Sequence, residues 1–146
     1  MLANNYDAKD WKVLVVDDDP DNLGVAKKVL SFYGAEVHTA ENGQKGLEAL
    51  RCIDRPSLVL LDLSMPEMDG WEMLKSIRGD PAHTDLRVIA VTAHVMPGDK
   101  ERALGAGFDG YIGKPFLLHT FMDEIRRCLN HTKTQNGKLK IQEKSL

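Results

Sequence analysis

Cysteine is scarce in this chain of 146 residues, with only Cys52 and Cys128 present. They lie far apart and in no C-x-x-C or other metal-ligand spacing, so a disulfide framework or a zinc site is not expected. Two buried or half-buried thiols are. Also missing is any run close to the ~20 apolar residues that span a bilayer. The N-terminus, MLANNYDAKDW, lacks the basic region and apolar core of a signal peptide. A cytoplasmic protein without membrane contact is therefore expected. An excess of basic charge is absent too: 19 Lys and Arg stand against 22 Asp and Glu, a net charge of -3. Such a chain offers no field for phosphate backbones, so nucleic acid is not expected as a direct partner.

What is present is ordinary globular material, 42% hydrophobic and 28% charged, in a length that suits one domain. We expect a tail over residues 1–11, a domain over 12–130 and a polar tail over 131–146. Val13-Leu14-Val15-Val16, Leu58-Val59-Leu60-Leu61 and Val88-Ile89-Ala90-Val91 are continuous apolar runs, as strands covered on both faces require. Glu36 to Ala40 alternates in polarity, and Tyr111-Ile112 is short. These two are the expected edge strands. Between the runs lie helical periods, the first ending at Gly34 and the fourth at Gly107. Five βα units in succession predict a doubly wound α/β fold, a parallel sheet of order 2-1-3-4-5 with helices on both faces. In that order ligands bind outside the carboxyl ends of the strands, where the winding reverses between strands 1 and 3.

The carboxyl ends carry Asp17 and Asp18 after strand 1, Asp62 after strand 3, Thr92 after strand 4 and Lys114-Pro115 after strand 5. Neighbouring strands are about 4.8 Å apart, so these groups can share one pocket. Three carboxylates and one ammonium leave that pocket at -2. Oxygen ligands without His or Cys favour a hard cation, and few carboxylates plus waters suit Mg²⁺ better than Ca²⁺. Asp19-Pro20 is explained more simply as the cap of the following helix. Asp17-x-Asp19-x-Asp21 copies the start of a calcium-binding EF-hand loop, but Asn22 replaces the required Gly and Lys28 the required Glu. That alternative fails. A second alternative stays open: Asp17-x-Asp19 also fits the nucleophile motif of haloacid-dehalogenase-type phosphatases, with Asp17 forming an aspartyl phosphate. Against it, Asp21 stands where Thr or Val is expected.

VLVVDDD at 13–19, LLDLSMPEMDG at 60–70, VTA at 91–93 and GYIGKPF at 110–116 together resemble the receiver domain of two-component response regulators over about residues 11–130. The resemblance implies that Asp62 is the phosphoacceptor, loaded from a phosphohistidine on a histidine kinase or phosphotransfer protein. It implies Mg²⁺ held by Asp18, Asp62 and the Ser64 carbonyl, with Asp17 acting largely through water. Lys114 would pair with the carboxylate or phosphoryl oxygens, Thr92 would donate its hydroxyl to the phosphoryl group, and Tyr111 would turn as Thr92 moves. A cis peptide before Pro115 would aim Lys114. Ser64 and His94 occupy positions that vary in the family and adjust the lifetime of the acyl phosphate.

The expected function is a phosphorelay switch and not an enzyme acting on an external substrate. Because HTKTQNGKLKIQEKSL after the fifth helix is too short for an output domain, the expectation is a stand-alone receiver whose output is binding. A downstream protein, or a second copy on phosphorylation, would dock on residues 97–130.

Overall fold

The computed structural model describes residues 8–65, 68–93, 96–114 and 118–137. The elements follow one another as β1 (Lys12–Val16), α1 (Pro20–Phe32), β2 (Glu36–Ala40), α2 (Gly43–Cys52), β3 (Leu58–Asp62) and α3 (Gly70–Arg78). A short 3-10 turn at Pro81–His83 then leads to β4 (Arg87–Thr92), α4 (Asp99–Ala106), β5 (Gly110–Gly113) and α5 (Leu118–Gly137). The strands form one sheet in the order β2-β1-β3-β4-β5, every pairing parallel. This is the doubly wound architecture that the alternation of strand and helix predicts.

Strand pleating sends alternate residues to opposite faces, and each face has its own apolar layer. Leu14, Val16, Val59, Leu61, Val88 and Ala90 pack with Leu50 of α2, Met73, Leu74 and Ile77 of α3, and Ala103 of α4. Val13, Val15, Leu58, Leu60, Ile89 and Ile112 pack with Ala26, Val29 and Leu30 of α1 and Phe121, Met122 and Ile125 of α5. All five residues of β3 are buried, which makes it the sheet's central support. Full burial of one such Leu or Val side chain stabilises the fold by about 1.5–3 kcal/mol relative to exposure.

The helices start where local chemistry dictates. Asp19 caps α1 by accepting the Asp21 N–H, with Pro20 in the first turn. Asn42 caps α2 by accepting the Lys45 N–H. The first helix ends before Gly34, and α4 ends at Gly107; their positive φ values of 102° and 114° are the left-handed conformation that glycine tolerates best.

Two expectations change. Helix α5 continues to Gly137, seven residues into the stretch expected to be a polar tail from 131. HTKTQN contains no proline to interrupt the backbone ladder, and the helix stops at a glycine. Cys52 is exposed, whereas Cys128 is half-buried as expected. The buried positions of α2 are Gly43, Gly46 and Leu50, and Cys52 lies off that stripe at the helix end. Among the described residues, no helix is long and apolar enough to cross a membrane.

Candidate functional site

Three backbone hydrogen bonds extend the sheet ladder past its carboxyl edge. The Asp17 N–H donates to Ala40 O at 3.1 Å, Leu63 N–H to Val91 O at 3.0 Å and Lys114 N–H to Thr92 O at 2.8 Å. They pin the residues at the start of each loop to a neighbouring strand. Asp62 and Thr92 are themselves the last residues of β3 and β4, one step inside the loops where the sequence reading put them. Their side chains are therefore set by strand geometry and not by loop geometry.

Asp17, Asp62 and Thr92 are the buried polar residues of the described chain, at 2%, 3% and 3% exposure. The Lys114 ammonium reaches over both carboxylates, 2.9 Å from Asp17 Oδ2 and 3.4 Å from Asp62 Oδ2. The other oxygens are also held: Asp17 Oδ1 accepts the Asp19 N–H at 2.9 Å, and Asp62 Oδ1 accepts the Ser64 N–H at 3.1 Å. Asp18 is exposed. One carboxylate oxygen from each of Asp17, Asp18 and Asp62 lies within 4.8 Å of the others. The site opens through a cleft of about 490 Å³ lined by Asp18, Asn22, Asp62, Ser64, Ala93 and Lys114.

Burial pushes the Asp62 carboxyl up to about 6, and the charge on Asp17 adds to the shift; the Ser64 N–H and Lys114 pull the other way. Burial pushes the Lys114 ammonium down, but Asp17 and then Asp62 outweigh it and its pKa is raised overall. Lys114 stays charged and does not fully offset its two neighbours. An anionic, all-oxygen site with one exposed ligand and an open mouth fits a hard divalent cation that keeps some of its water. One added +2 charge would neutralise the cluster.

Gly70 is the residue sequence reasoning undervalued. A Cβ there would stand 2.5 Å from Asp62 O and 2.8 Å from the Leu63 Cα, so only glycine lets α3 start against the backbone of Asp62. Taken alone, Asp69-Gly70 is an ordinary turn signal, but Asp69 caps α3 in a reciprocal capping box with Glu72. Its signature, an acidic cap followed three residues later by Glu, was available in the sequence. Tyr111 is half-buried in β5, with its hydroxyl buried outside hydrogen-bond geometry. Burial first, and the Asp99 carboxylate next, hold its proton on. Pro115 and His94 lie outside the described residues.

A family model for the response regulator receiver domain matches residues 13–126. The chain belongs to that family. The receiver is 34% identical to the polar-differentiation response regulator DivK of Brucella anthropi over 117 residues, covering 80% of this chain and 94% of DivK. It is also 34% identical to response regulator MprA of Mycobacterium tuberculosis and to histidine kinase 3 of Arabidopsis thaliana, yet spans only 54% of the former's length and 13% of the latter's. Among solved structures, the chemotaxis protein CheY4 of Vibrio cholerae superposes with a TM-score of 0.75 at 28% identity, over 81% of this chain and 98% of CheY4. The N-terminal domain of a receiver protein from Methanoculleus marisnigri gives 0.65 at 38% identity, over 80% and 94%. The haloacid-dehalogenase alternative is not supported by these matches. The geometry disfavours it too, because the open cleft is lined by Asp62 and not by Asp17.

Proposed function

We propose that Asp62 accepts a phosphoryl group from a phosphohistidine donor and that the added charge switches protein binding. The single observation that carries this reading is the juxtaposition of buried Asp62, with its carboxyl held near 6, and Lys114 at 3.4 Å under an open cleft. Asp18, Asp62 and the Ser64 carbonyl would hold Mg²⁺, with Asp17 acting through water. When bound, the ion supplies positive charge to the phosphoryl oxygens.

In the transfer step an Asp62 carboxylate oxygen attacks phosphorus in line. The new O–P bond forms as the donor N–P bond breaks, and the donor imidazole leaves with that electron pair. Such a transition state needs placement and charge stabilisation more than covalent help. Lys114 supplies fixed charge, and the Asp17–Lys114 pair keeps the ammonium over the site. Attack of water on phosphorus later releases inorganic phosphate and restores the carboxylate. On this reading the chain is a phosphoacceptor switch and not an enzyme turning over an external substrate.

Phosphorylation replaces a carboxylate by a group carrying roughly -2. Thr92, at the end of β4, donates its hydroxyl to that group, and Tyr111 follows on the adjacent strand. Donors are histidine kinases or phosphotransfer proteins, and the face of α4, β5 and α5 within residues 97–130 is the docking surface for a downstream protein or a second copy. The receiver unit spans 12–130 and works in the cytoplasm.

Incubation with acetyl phosphate and Mg²⁺ tests the assignment. Wild type and Asp17→Asn should both become acyl-labelled, the variant more slowly, and Asp62→Asn should not. Wild-type labelling of Asp62→Asn would overturn it, and loss of label only in Asp17→Asn would restore the phosphatase mechanism.

A further inference from the structure

A second concavity, of about 390 Å³, runs between α3 and α4, away from the phosphoacceptor cleft. Its floor is Trp71, Leu74 and Ala106, with Lys75 on the rim. Arg102 of α4 lies over the Trp71 ring, its guanidinium carbon 4.3 Å from the centroid, and Trp71 in turn meets Phe108 edge-on at 5.5 Å. The aromatic floor is thus braced from below and capped at one side by a cation.

The charges on this rim are unequally engaged. Arg78 spends its donors on Leu86 O, Gly107 O and Asp109 Oδ2 at 2.6, 2.9 and 2.9 Å, so its charge is answered within the fold. Glu72, the acid on the rim, is bound to the Asp69 N–H at the start of α3. Exposed Lys75 and Arg102 have no ion-pair partner among the described residues. A net-acidic chain therefore presents two uncompensated cations beside a partly exposed Trp71 and an exposed Ala106, with Leu74 buried beneath them. The groove's α3 wall, from Trp71 to Arg78, runs for about 12 Å, roughly two helical turns, and Ala106 lines it from the end of α4.

We propose that this groove binds an acidic amphipathic helix of a partner protein, with an apolar side chain over Trp71 and Leu74 and flanking carboxylates on Lys75 and Arg102. An apolar floor has nothing to offer a phosphate backbone, and the net charge opposes one. Helix-in-groove recognition uses this combination of an apolar anchor and a charged rim. The groove lies on the α3 side of α4 and so adjoins the face proposed for downstream docking, and its residues are in place in the unphosphorylated chain.

The test is fluorescence anisotropy of a labelled, blocked helical peptide of about 16 residues built from glutamate, leucine and alanine, titrated with the unphosphorylated full chain without Mg²⁺. Saturable binding is expected, weakened about tenfold by the double change Lys75→Glu with Arg102→Glu and by replacing the peptide's glutamates with glutamine. Ala106→Glu, which places a carboxylate on the groove floor one helical turn from Arg102, should weaken it likewise. Far-ultraviolet circular dichroism establishes that each variant is folded. No saturable binding, or binding unchanged by these variants, overturns the proposal. So does tighter binding of a single-stranded DNA oligonucleotide lost in the same double variant, which would assign the rim to nucleic acid.

Discussion

Helix α3, which follows the Asp62 strand, and α4, which follows the Thr92 strand, are of nearly equal length but unequal anchorage. Helix α3 begins in a reciprocal capping box and buries Gly70, Met73, Leu74 and Ile77. Helix α4 begins at Gly98 in the left-handed region, has no side-chain cap, and buries only Ala103. Gly105 within it meets nothing within 4 Å of an added Cβ. The backbone that presents Asp62 is thus clamped by a tightly held helix, whereas the helix beyond Thr92 is free to respond cheaply. A switch needs both: an acceptor that does not move and a reporter that does.

The largest expected effect comes from attacking the clamp. Gly70→Ala forces a Cβ into the Asp62 carbonyl and the Leu63 Cα, neither of which can swing aside, and should cost about 2–3 kcal/mol in urea unfolding. Weaker Mg²⁺ binding should accompany it. If Gly70→Ala is as stable as wild type, α3 is not the clamp described here.

Next in size is the charge on Asp62. Because its folded-state pKa of about 6 lies above the ordinary 3.8, the folded form holds its proton more tightly than the unfolded chain. The stability this confers is complete at low pH and is lost as pH rises through about 6. At pH ~7.5 and without Mg²⁺, Asp62→Asn should therefore be more stable than wild type by about 1–2 kcal/mol. Added Mg²⁺ should close the gap by stabilising wild type alone. A variant less stable than wild type under these conditions would mean that the Lys114 contact outweighs burial.

Smaller effects separate the two helices. Asp69→Ala removes the capping box of α3 and should cost about 1 kcal/mol. Gly105→Ala should instead stabilise α4 by about 0.5–1 kcal/mol, since helix propensity improves and nothing is crowded. Paired thermal melts check both. Destabilisation by Gly105→Ala would show that α4 is packed more tightly than its single buried residue implies.

The three central strands were legible because they are continuous apolar runs of the kind a strand covered on both faces requires, and the edge strands because β2 alternates in polarity and β5 is short. The Asp17, Asp18, Asp62 and Lys114 cluster was legible for a related reason: strand ends fix where loops begin, and the topology brings those ends together. Less accessible were features that depend on the tertiary approach of backbones. Gly70 looks like any turn glycine until β3 and α3 are seen to touch, and Gly110 looks dispensable until the Cys128 side chain is found where its Cβ would be. The end of α5 escaped because its last seven residues have no apolar period in the sequence. Cys52 was misplaced by composition, since the tendency of free cysteine to be buried yields to its position off the apolar stripe of α2.

Hydrogen–deuterium exchange followed by peptide mass spectrometry, with and without acetyl phosphate in Mg²⁺, tests most directly whether charge gained at Asp62 is converted into movement of α4 against a fixed α3. Protection should change across residues 96–114 on phosphorylation, stay constant across α3, and remain unaltered everywhere in Asp62→Asn. Equal changes in α3 and α4, or no change in a chain that is demonstrably labelled, would contradict the account.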